Sequence, residues 1–246
     1  MLRLSVASTI TLLVALANSA KVWDGSFNNY ESPADFDKWS WANQVGTYQW
    51  YIHGSEETAH YLDVSPDYKN PALTSEERGL RSTIDSGATW NGQTMARTEL
   101  IPQTTSDLGS GNLFYHFSVM RSDTNTPDST QEHQSHFTEL KYGVGANPTD
   151  LQWHVGGVQQ WATDFTANTW FNFAYDIDFS AKTVGLWAST GSDPLTKVVE
   201  NVAANTFTNS ADWHLGVLRV IANGVTEDWY FSGVYVEDGE ITTSIA

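Results

Sequence analysis

Residues 170–188 read WFNFAYDIDFSAKTVGLWA, and this stretch carries the pattern that decides the fold. It contains two runs, Trp170–Ile177 and Thr183–Ala188, in which aromatic and β-branched residues dominate. Such runs are typical of half-buried β-strands. They therefore predict two strands.

Runs of the same kind recur along the rest of the chain. They are Gln93–Pro102, Leu113–Met120, Ser135–Tyr142, Leu151–Val155, His214–Val220 and Trp229–Val236. Turn signals such as Asn91-Gly92 and Asn223-Gly224 separate them. Only residues 34–44 indicate a short helix, which argues against a parallel α/β sheet. The sequence predicts an all-β fold, a single-domain β-jelly roll or two-sheet sandwich over residues 21–246.

The first twenty residues have the composition of a secretory signal peptide. Arg3 precedes an uncharged run from Leu4 to Ala17, and small residues follow up to Ala20. The run is too short to span a bilayer comfortably. We therefore expect residues 1–20 to be removed and the protein to be secreted, extracellular and monomeric.

The charge and composition exclude several classes of partner and chemistry. The chain has 12 Lys and Arg against 29 Asp and Glu, a formal net charge of −17. Such a surface repels nucleic acid and anionic membranes. The absence of cysteine excludes disulfides and thiolate chemistry. The sequence predicts no cofactor and no metal site, whereas its 11 Trp, 10 Tyr and 11 Phe can stack on sugar faces.

Two short segments, Ala96–Leu100 and Phe137–Lys141, share the sequence Thr-Glu-Leu. Side chains alternate between the faces of a strand, so Glu99 shares a face with Arg97, and Glu139 shares one with Lys141. Each pair is either a structural ion pair or part of a working site. Glycoside hydrolysis commonly uses two carboxyl groups on opposite sides of the glycosidic bond. One donates a proton to the leaving oxygen, and the other activates a water molecule or attacks the sugar itself.

Among the histidines, His214 is the strongest candidate for a functional role. The sequence Asp212-Trp213-His214 combines an orienting carboxylate, a ring that can stack and a titratable group. For His133 and His136, two ligands in a predicted loop are weak support for a metal site.

Several longer stretches together resemble glycoside hydrolase family 131, a family of secreted fungal β-glucanases. They include DKWSWANQVGTYQWYIHGS from residue 37, NGQTMARTELIPQT, SHFTELKYG, DWHLGVLR and EDWYFSGVYVEDG. The likeness runs from Val22 to the C-terminus. It implies a β-jelly roll with an open, concave cleft. It also implies hydrolysis of β-1,3-, β-1,6- and β-1,4-linked glucans, with inversion of the anomeric centre.

The resemblance implies that Glu99, Glu139 and His214 lie in the cleft and act in catalysis. We assign Glu99 as general acid and Glu139 as general base, although the sequence does not order the two. The Arg97 cation beside Glu99 is expected to lower its pKa, which counts against Glu99 as the proton donor unless burial outweighs the pair. The residues predicted to bind substrate, by stacking or hydrogen bonding, are Arg97, Trp50, His53, Tyr115, Gln134, His136, Lys141 and Trp213.

One departure from the family pattern affects the predicted cleft. The family has several more residues between the Glu-His-Gln and Ser-His-Phe-Thr-Glu-Leu motifs, whereas here Gln134 directly precedes Ser135. The shorter segment is expected to alter one wall of the cleft or the register of its strand.

The sequence leaves two other functions open: a jelly-roll lyase acting on uronic-acid polymers, and a glucan-binding module without catalysis.

Overall fold

A computed structural model describes residues 19–135, 140–208 and 213–246. Apart from Ser19 and Ala20, the predicted signal peptide lies outside these residues. The strands are β1 Ala20–Asp24, β2 Tyr48–Ile52, β3 Leu62–Ser65, β4 Gly79–Ile84, β5 Ala96–Pro102, β6 Asn112–Met120, β7 His133–Ser135, β8 Leu140–Tyr142, β9 Asp150–Val155, β10 Val158–Asp164, β11 Phe171–Asp178, β12 Thr183–Thr190, β13 Thr196–Ala203, β14 Leu215–Arg219 and β15 Glu227–Asp238. The helical segments are two 3₁₀ turns, Pro33–Lys38 and Pro66–Tyr68, and one α-helical turn, α1 Thr58–Tyr61. In the described part of the chain, no helix has the length and apolar character needed to cross a bilayer.

The strands form two antiparallel sheets that pack face to face. One sheet has the order β13-β12-β11-β6-β15-β4-β3, with β1 added to β15, and the other has the order β10-β9-β8-β7-β14-β5-β2. This architecture confirms the predicted all-β two-sheet sandwich and is consistent with a jelly roll. The residues 170–188 that indicated the fold form β11 and β12, which pair along their full length.

An aromatic-rich core fills the space between the sheets. Trp153, Trp229 and Phe117 are among its largest fully buried side chains. Two hydrogen bonds also cross between the sheets: Ser82 Oγ donates to the Thr98 carbonyl at 3.2 Å, and Thr98 Oγ1 donates to the Thr83 carbonyl at 2.7 Å. They link β4 to β5 and so fix the strand that carries Glu99.

The predicted continuous strand Ser135–Tyr142 is wrong. In its place β7 and β8 pair antiparallel, with His133 opposite Tyr142 and Ser135 opposite Leu140. The chain therefore reverses direction within the stretch that the sequence pattern assigned to one strand. Residues 136–139 lie outside the described residues.

The helix predicted over residues 34–44 is shorter than expected. It is a 3₁₀ turn that ends at Lys38, because Trp39 adopts an extended backbone conformation. A small loop follows, closed by a two-way backbone bridge between Ser40 and Asn43. This loop carries Trp41.

Candidate active site

Glu99 lies on β5 with its side chain on the outer face of the seven-stranded sheet. Its neighbours Thr98 and Leu100 point into the core and are fully buried. On β14, Gly216 stands opposite Glu99 with φ +139°, a conformation that favours glycine. A Cβ at this position would lie 2.2 Å from the Thr98 carbonyl oxygen. The glycine therefore permits the close approach of β14 to the backbone that supports Glu99.

Arg97 and His214 both hydrogen bond to the Glu99 carboxylate. Arg97 Nη2 donates to Oε2 at 2.6 Å, and His214 Nδ1 lies 2.6 Å from the same oxygen. Glu99 is only 5% exposed, and burial by itself raises its pKa. The hydrogen bonds and charges of His214 and Arg97 together outweigh that effect and hold the pKa below its usual range. Glu99 is therefore an ionised carboxylate at neutral pH.

Arg97 is itself held in place by its surroundings. Its Nη1 donates to Gln93 Oε1 at 3.1 Å, and its guanidinium lies 5.6 Å from the centre of the Trp90 ring. The prediction that Arg97 and Glu99 share one face of the strand is confirmed by their contact. The additional contact with His214 joins β5 to the start of β14.

A cavity of about 400 Å³ opens beside these side chains. Arg97, Glu99, Gln134 and His214 line its polar side. Its apolar side is formed by residues from both sheets and from the segment after β13: Trp153, Val155, Tyr175, Ile177, Phe179, Val184 and Phe207. The volume is in the range of small-molecule binding pockets.

Two further predicted residues, Gln134 and Lys141, lie on β7 and β8. Gln134 on β7 lines the cavity, and Lys141 stands opposite it on β8. Glu132 accepts hydrogen bonds from both, at 2.9 Å from Gln134 Nε2 and 3.0 Å from Lys141 Nζ. The remaining predicted residues, Glu139 and His136, lie outside the described residues.

The prediction that Trp50, Tyr115 and Trp213 present their rings to substrate is wrong. All three are buried in the core, with exposures of 5%, 0% and 1%. Trp213 packs edge-on against Tyr115, with ring centres 5.4 Å apart. His53 stacks on Trp50 at 4.2 Å and is not among the residues that line the cavity beside Glu99.

A cluster of three aromatic residues near Arg97, formed by Trp41, Tyr51 and Trp90, was not predicted from the sequence as part of the site. The burial of β2 alternates, with Tyr48, Trp50 and Ile52 inside and Tyr51 half-exposed on the other face. The sequence Tyr-Gln-Trp-Tyr-Ile has an aromatic residue on each face, so alternation alone does not show which of Trp50 and Tyr51 points outward. Over the described residues, no group of three or more Asp, Glu or His side chains is placed to hold a metal ion.

The fold and the site together define a class of protein. It is a β-sandwich with an ionised carboxylate that is paired with an arginine and lies beside an open cavity large enough for a small ligand. The sequence profile of the glycoside hydrolase 131 catalytic N-terminal domain matches residues 22–242. The chain belongs to glycoside hydrolase family 131.

Two solved structures resemble the chain over nearly all of its length. The catalytic domain of the family 131 protein from Coprinopsis cinerea is 68% identical, with a TM-score of 0.89, and the match covers 91% of this chain and 97% of that one. A family 131 β-glucanase catalytic domain from Podospora anserina is 52% identical, also with a TM-score of 0.89, over 92% and 99% of the two chains. No curated protein matches the chain.

Membership of this family decides between the functions that the sequence left open. The matched region is a catalytic domain, so the chain is a glycoside hydrolase. The prediction of an enzyme is confirmed, and neither a uronan lyase nor a binding module without catalysis fits this assignment.

Proposed function

We propose that the protein hydrolyses β-glucans, with Glu99 as the general base of an inverting reaction. The buried, ionised Glu99 carboxylate in the wall of the cavity carries this proposal. The Podospora anserina relative is described as a β-glucanase, which supports a β-glucan as the substrate. The expected linkages are β-1,3, β-1,6 and β-1,4.

The environment of Glu99 favours the role of base over that of acid. A general acid must hold a proton at the working pH, and burial commonly raises its pKa to achieve this. Arg97 and His214 act in the opposite direction on Glu99. We therefore exchange the roles assigned from the sequence, so that Glu99 is the base and Glu139 the acid.

In the proposed reaction, Glu99 removes a proton from a water molecule as its oxygen attacks the anomeric carbon. The bond from that carbon to the leaving oxygen breaks, and Glu139 donates a proton to that oxygen. Arg97 and His214 keep Glu99 ionised and oriented before the attack. Gln134, Lys141 and His136 are proposed to contact the sugar hydroxyls.

Inversion is the outcome that the family resemblance implies. In inverting enzymes the two carboxyl groups are about 6.5–9.5 Å apart, which leaves room for a water molecule, whereas about 5–5.5 Å is typical of retaining ones.

The test is a substrate panel with three readouts. The mature protein is incubated with β-1,3-, β-1,4- and β-1,6-glucans and with a polyuronate, and reducing ends and ultraviolet absorbance are measured. Release of reducing ends from a glucan is expected, with an α-anomer as the first product in proton NMR spectra. An unsaturated product from the polyuronate, or a β-anomer from the glucan, would contradict the proposal.

We also propose that the protein acts outside the cell, where polymeric glucans are found. Residues 1–20 have the charge and length of a signal peptide. Expression of the full chain in a fungal host, followed by N-terminal sequencing of protein from the medium, tests this proposal. A mature start after Ala17 or Ala20 is expected, whereas retention of the uncleaved chain in the cells would contradict it.

A further inference from the structure

Beside Glu99, on the outer face of the seven-stranded sheet, is a group of aromatic rings. Trp50 on β2 stands opposite Leu100 on β5, and both point into the core. The next residue, Tyr51, is half-exposed at a β-bulge between Trp50 and Ile52, and its ring centre lies 5.9 Å from that of Trp90, the ring that Arg97 overlies. Burial has the largest effect on the pKa of Tyr51 and raises it. The charge of Arg97 lowers this pKa and the charge of Glu99 raises it, so Tyr51 lies within electrostatic range of both groups.

The rings form a continuous path that ends at the carboxylate. Trp41 and Tyr51 have ring centres 5.0 Å apart, and Tyr51 and Trp90 have centres 5.9 Å apart. Arg97 follows, 5.6 Å from the centre of the Trp90 ring and 2.6 Å from Glu99. Each step is comparable with the width of one pyranose ring. We call Trp41, Tyr51 and Trp90 the aromatic platform.

The outer end of the platform is unusually exposed. Trp41 is 66% exposed, although a tryptophan ring gains more free energy from burial than most side chains. Its neighbour Trp39 is 6% exposed and donates from Nε1 to Gln103 Oε1 at 2.9 Å. Trp39 thus anchors the edge of the cluster, and Trp41 remains open to a ligand.

Two local structures hold the exposed rings in place without a ligand. The loop that carries Trp41 is closed by the Ser40–Asn43 bridge, and Asn43 Nδ2 donates to the Lys38 carbonyl at 3.0 Å. Trp90 begins a tight turn through Asn91 and Gly92, with φ +50° and +72°. Rings that are already fixed lose little conformational entropy on binding.

The chemistry of the platform selects a neutral sugar chain as its ligand. Aromatic faces stack on the C–H faces of pyranose rings and need no charge on the ligand. Arg97, the cation beside the platform, is already engaged by Glu99. With a net charge of −17, the protein also has no long-range attraction for a polyanion.

We propose that the aromatic platform binds consecutive glucose units of the β-glucan on one side of Glu99 and so sets the preference for long chains. This inference rests on the proposed β-glucanase function. It assigns Trp41 to the unit farthest from the cleaved bond and Trp90 to the unit nearest to Arg97. Substrates too short to reach Trp41 then gain nothing from that ring.

The experiment measures binding and turnover separately. The dissociation constants of laminarihexaose and cellohexaose are determined by calorimetry for E99Q, in which turnover is expected to be too slow to consume the ligand, and for E99Q combined with W41A or W90A. We expect each tryptophan change to weaken binding of the preferred hexasaccharide about tenfold. In the active enzyme, W41A is expected to raise KM for the hexasaccharide, to leave kcat nearly unchanged and to leave cleavage of the trisaccharide unaffected.

The matched control is W187A. Trp187 lies on β12 of the other sheet, half-exposed and 5.9 Å from Lys197 Nζ, and its replacement is expected to leave all of these values unchanged. Two results would overturn the proposal that the aromatic platform binds substrate. One is the same affinity for the hexasaccharide in E99Q and in E99Q/W41A. The other is a loss of activity in W41A that is equal for the trisaccharide and the hexasaccharide. Failure of the proposed function gives a different result, full turnover by E99Q.

Discussion

His214 Nδ1 lies 2.6 Å from Glu99 Oε2, although 115 residues separate the two in sequence. Arg97 Nη2 reaches the same oxygen, also at 2.6 Å. Since an ionised carboxylate only accepts hydrogen bonds, Nδ1 carries the proton in this contact. Within the described residues these are the side chains that hydrogen bond to the Glu99 carboxylate. They make Glu99 a stronger acid than its burial alone allows.

Replacement of His214 by Ala is expected to change the pH dependence of the reaction. Without the His214 hydrogen bond, burial is less opposed and the pKa of Glu99 rises. The base is then protonated at a higher pH, so the acid limb of the kcat/KM profile moves upward, and kcat/KM at the optimum falls about tenfold or more. The control is H154A, since His154 lines the same cavity but hydrogen bonds to Gln152. An acid limb that is the same in H214A and wild type would show that His214 does not set the ionisation of Glu99.

Replacement of Gly216 by Ala is expected to destabilise the fold and damage the site together. The new Cβ would meet two backbone atoms, the Thr98 oxygen at 2.2 Å and the Glu99 Cα at 3.0 Å, and neither can yield. With the strain of φ +139°, we expect a loss of about 2–4 kcal/mol in the free energy of unfolding, measured by urea denaturation. Gly156, with φ +57° and open space around it, is the control for backbone strain alone. Equal losses in G216A and G156A would refute the steric role of Gly216.

A buried ion cluster between β14 and β15 is expected to contribute strongly to stability. Glu227 is fully buried and lies 2.6 Å from both Arg219 Nη1 and His133 Nε2. E227Q leaves the Arg219 charge without its partner, so we expect a loss of about 3–5 kcal/mol in the free energy of unfolding. E77Q is the surface control, since Glu77 is 73% exposed beside Arg78, and such a pair contributes about 0–1 kcal/mol. Similar urea midpoints for the two variants would contradict this expectation.

The parts of the site that the sequence predicted correctly depend on strand alternation. Alternation alone puts Arg97 and Glu99 on one face, and it requires no knowledge of the neighbouring strands. It does not say which face is outside, and for that reason the buried Trp50 was chosen in place of Tyr51. Trp213 illustrates the same error, because it precedes His214 in the chain but points into the core.

Long-range features were less accessible to the sequence. The pairing of β14 with β5 brings His214 to Glu99, and no local pattern encodes that register. The reversal between β7 and β8 was hidden because Ser135–Tyr142 lacks the Gly or Pro residues that signal a turn. Strand β13 was missed because it is a largely exposed edge strand with little apolar pattern to distinguish it.

The most direct test of the central claim compares two Glu-to-Gln changes on the same sheet. E99Q removes the proposed base, whereas E132Q removes the carboxylate that Lys141 and Gln134 contact. We expect E99Q to lower reducing-sugar release from β-glucan by about 10²–10⁴-fold while a cooperative melting transition shows that the protein is folded, and E132Q to remain within about tenfold of wild type. Near wild-type turnover by a folded E99Q enzyme would contradict the assignment of Glu99 as the catalytic base.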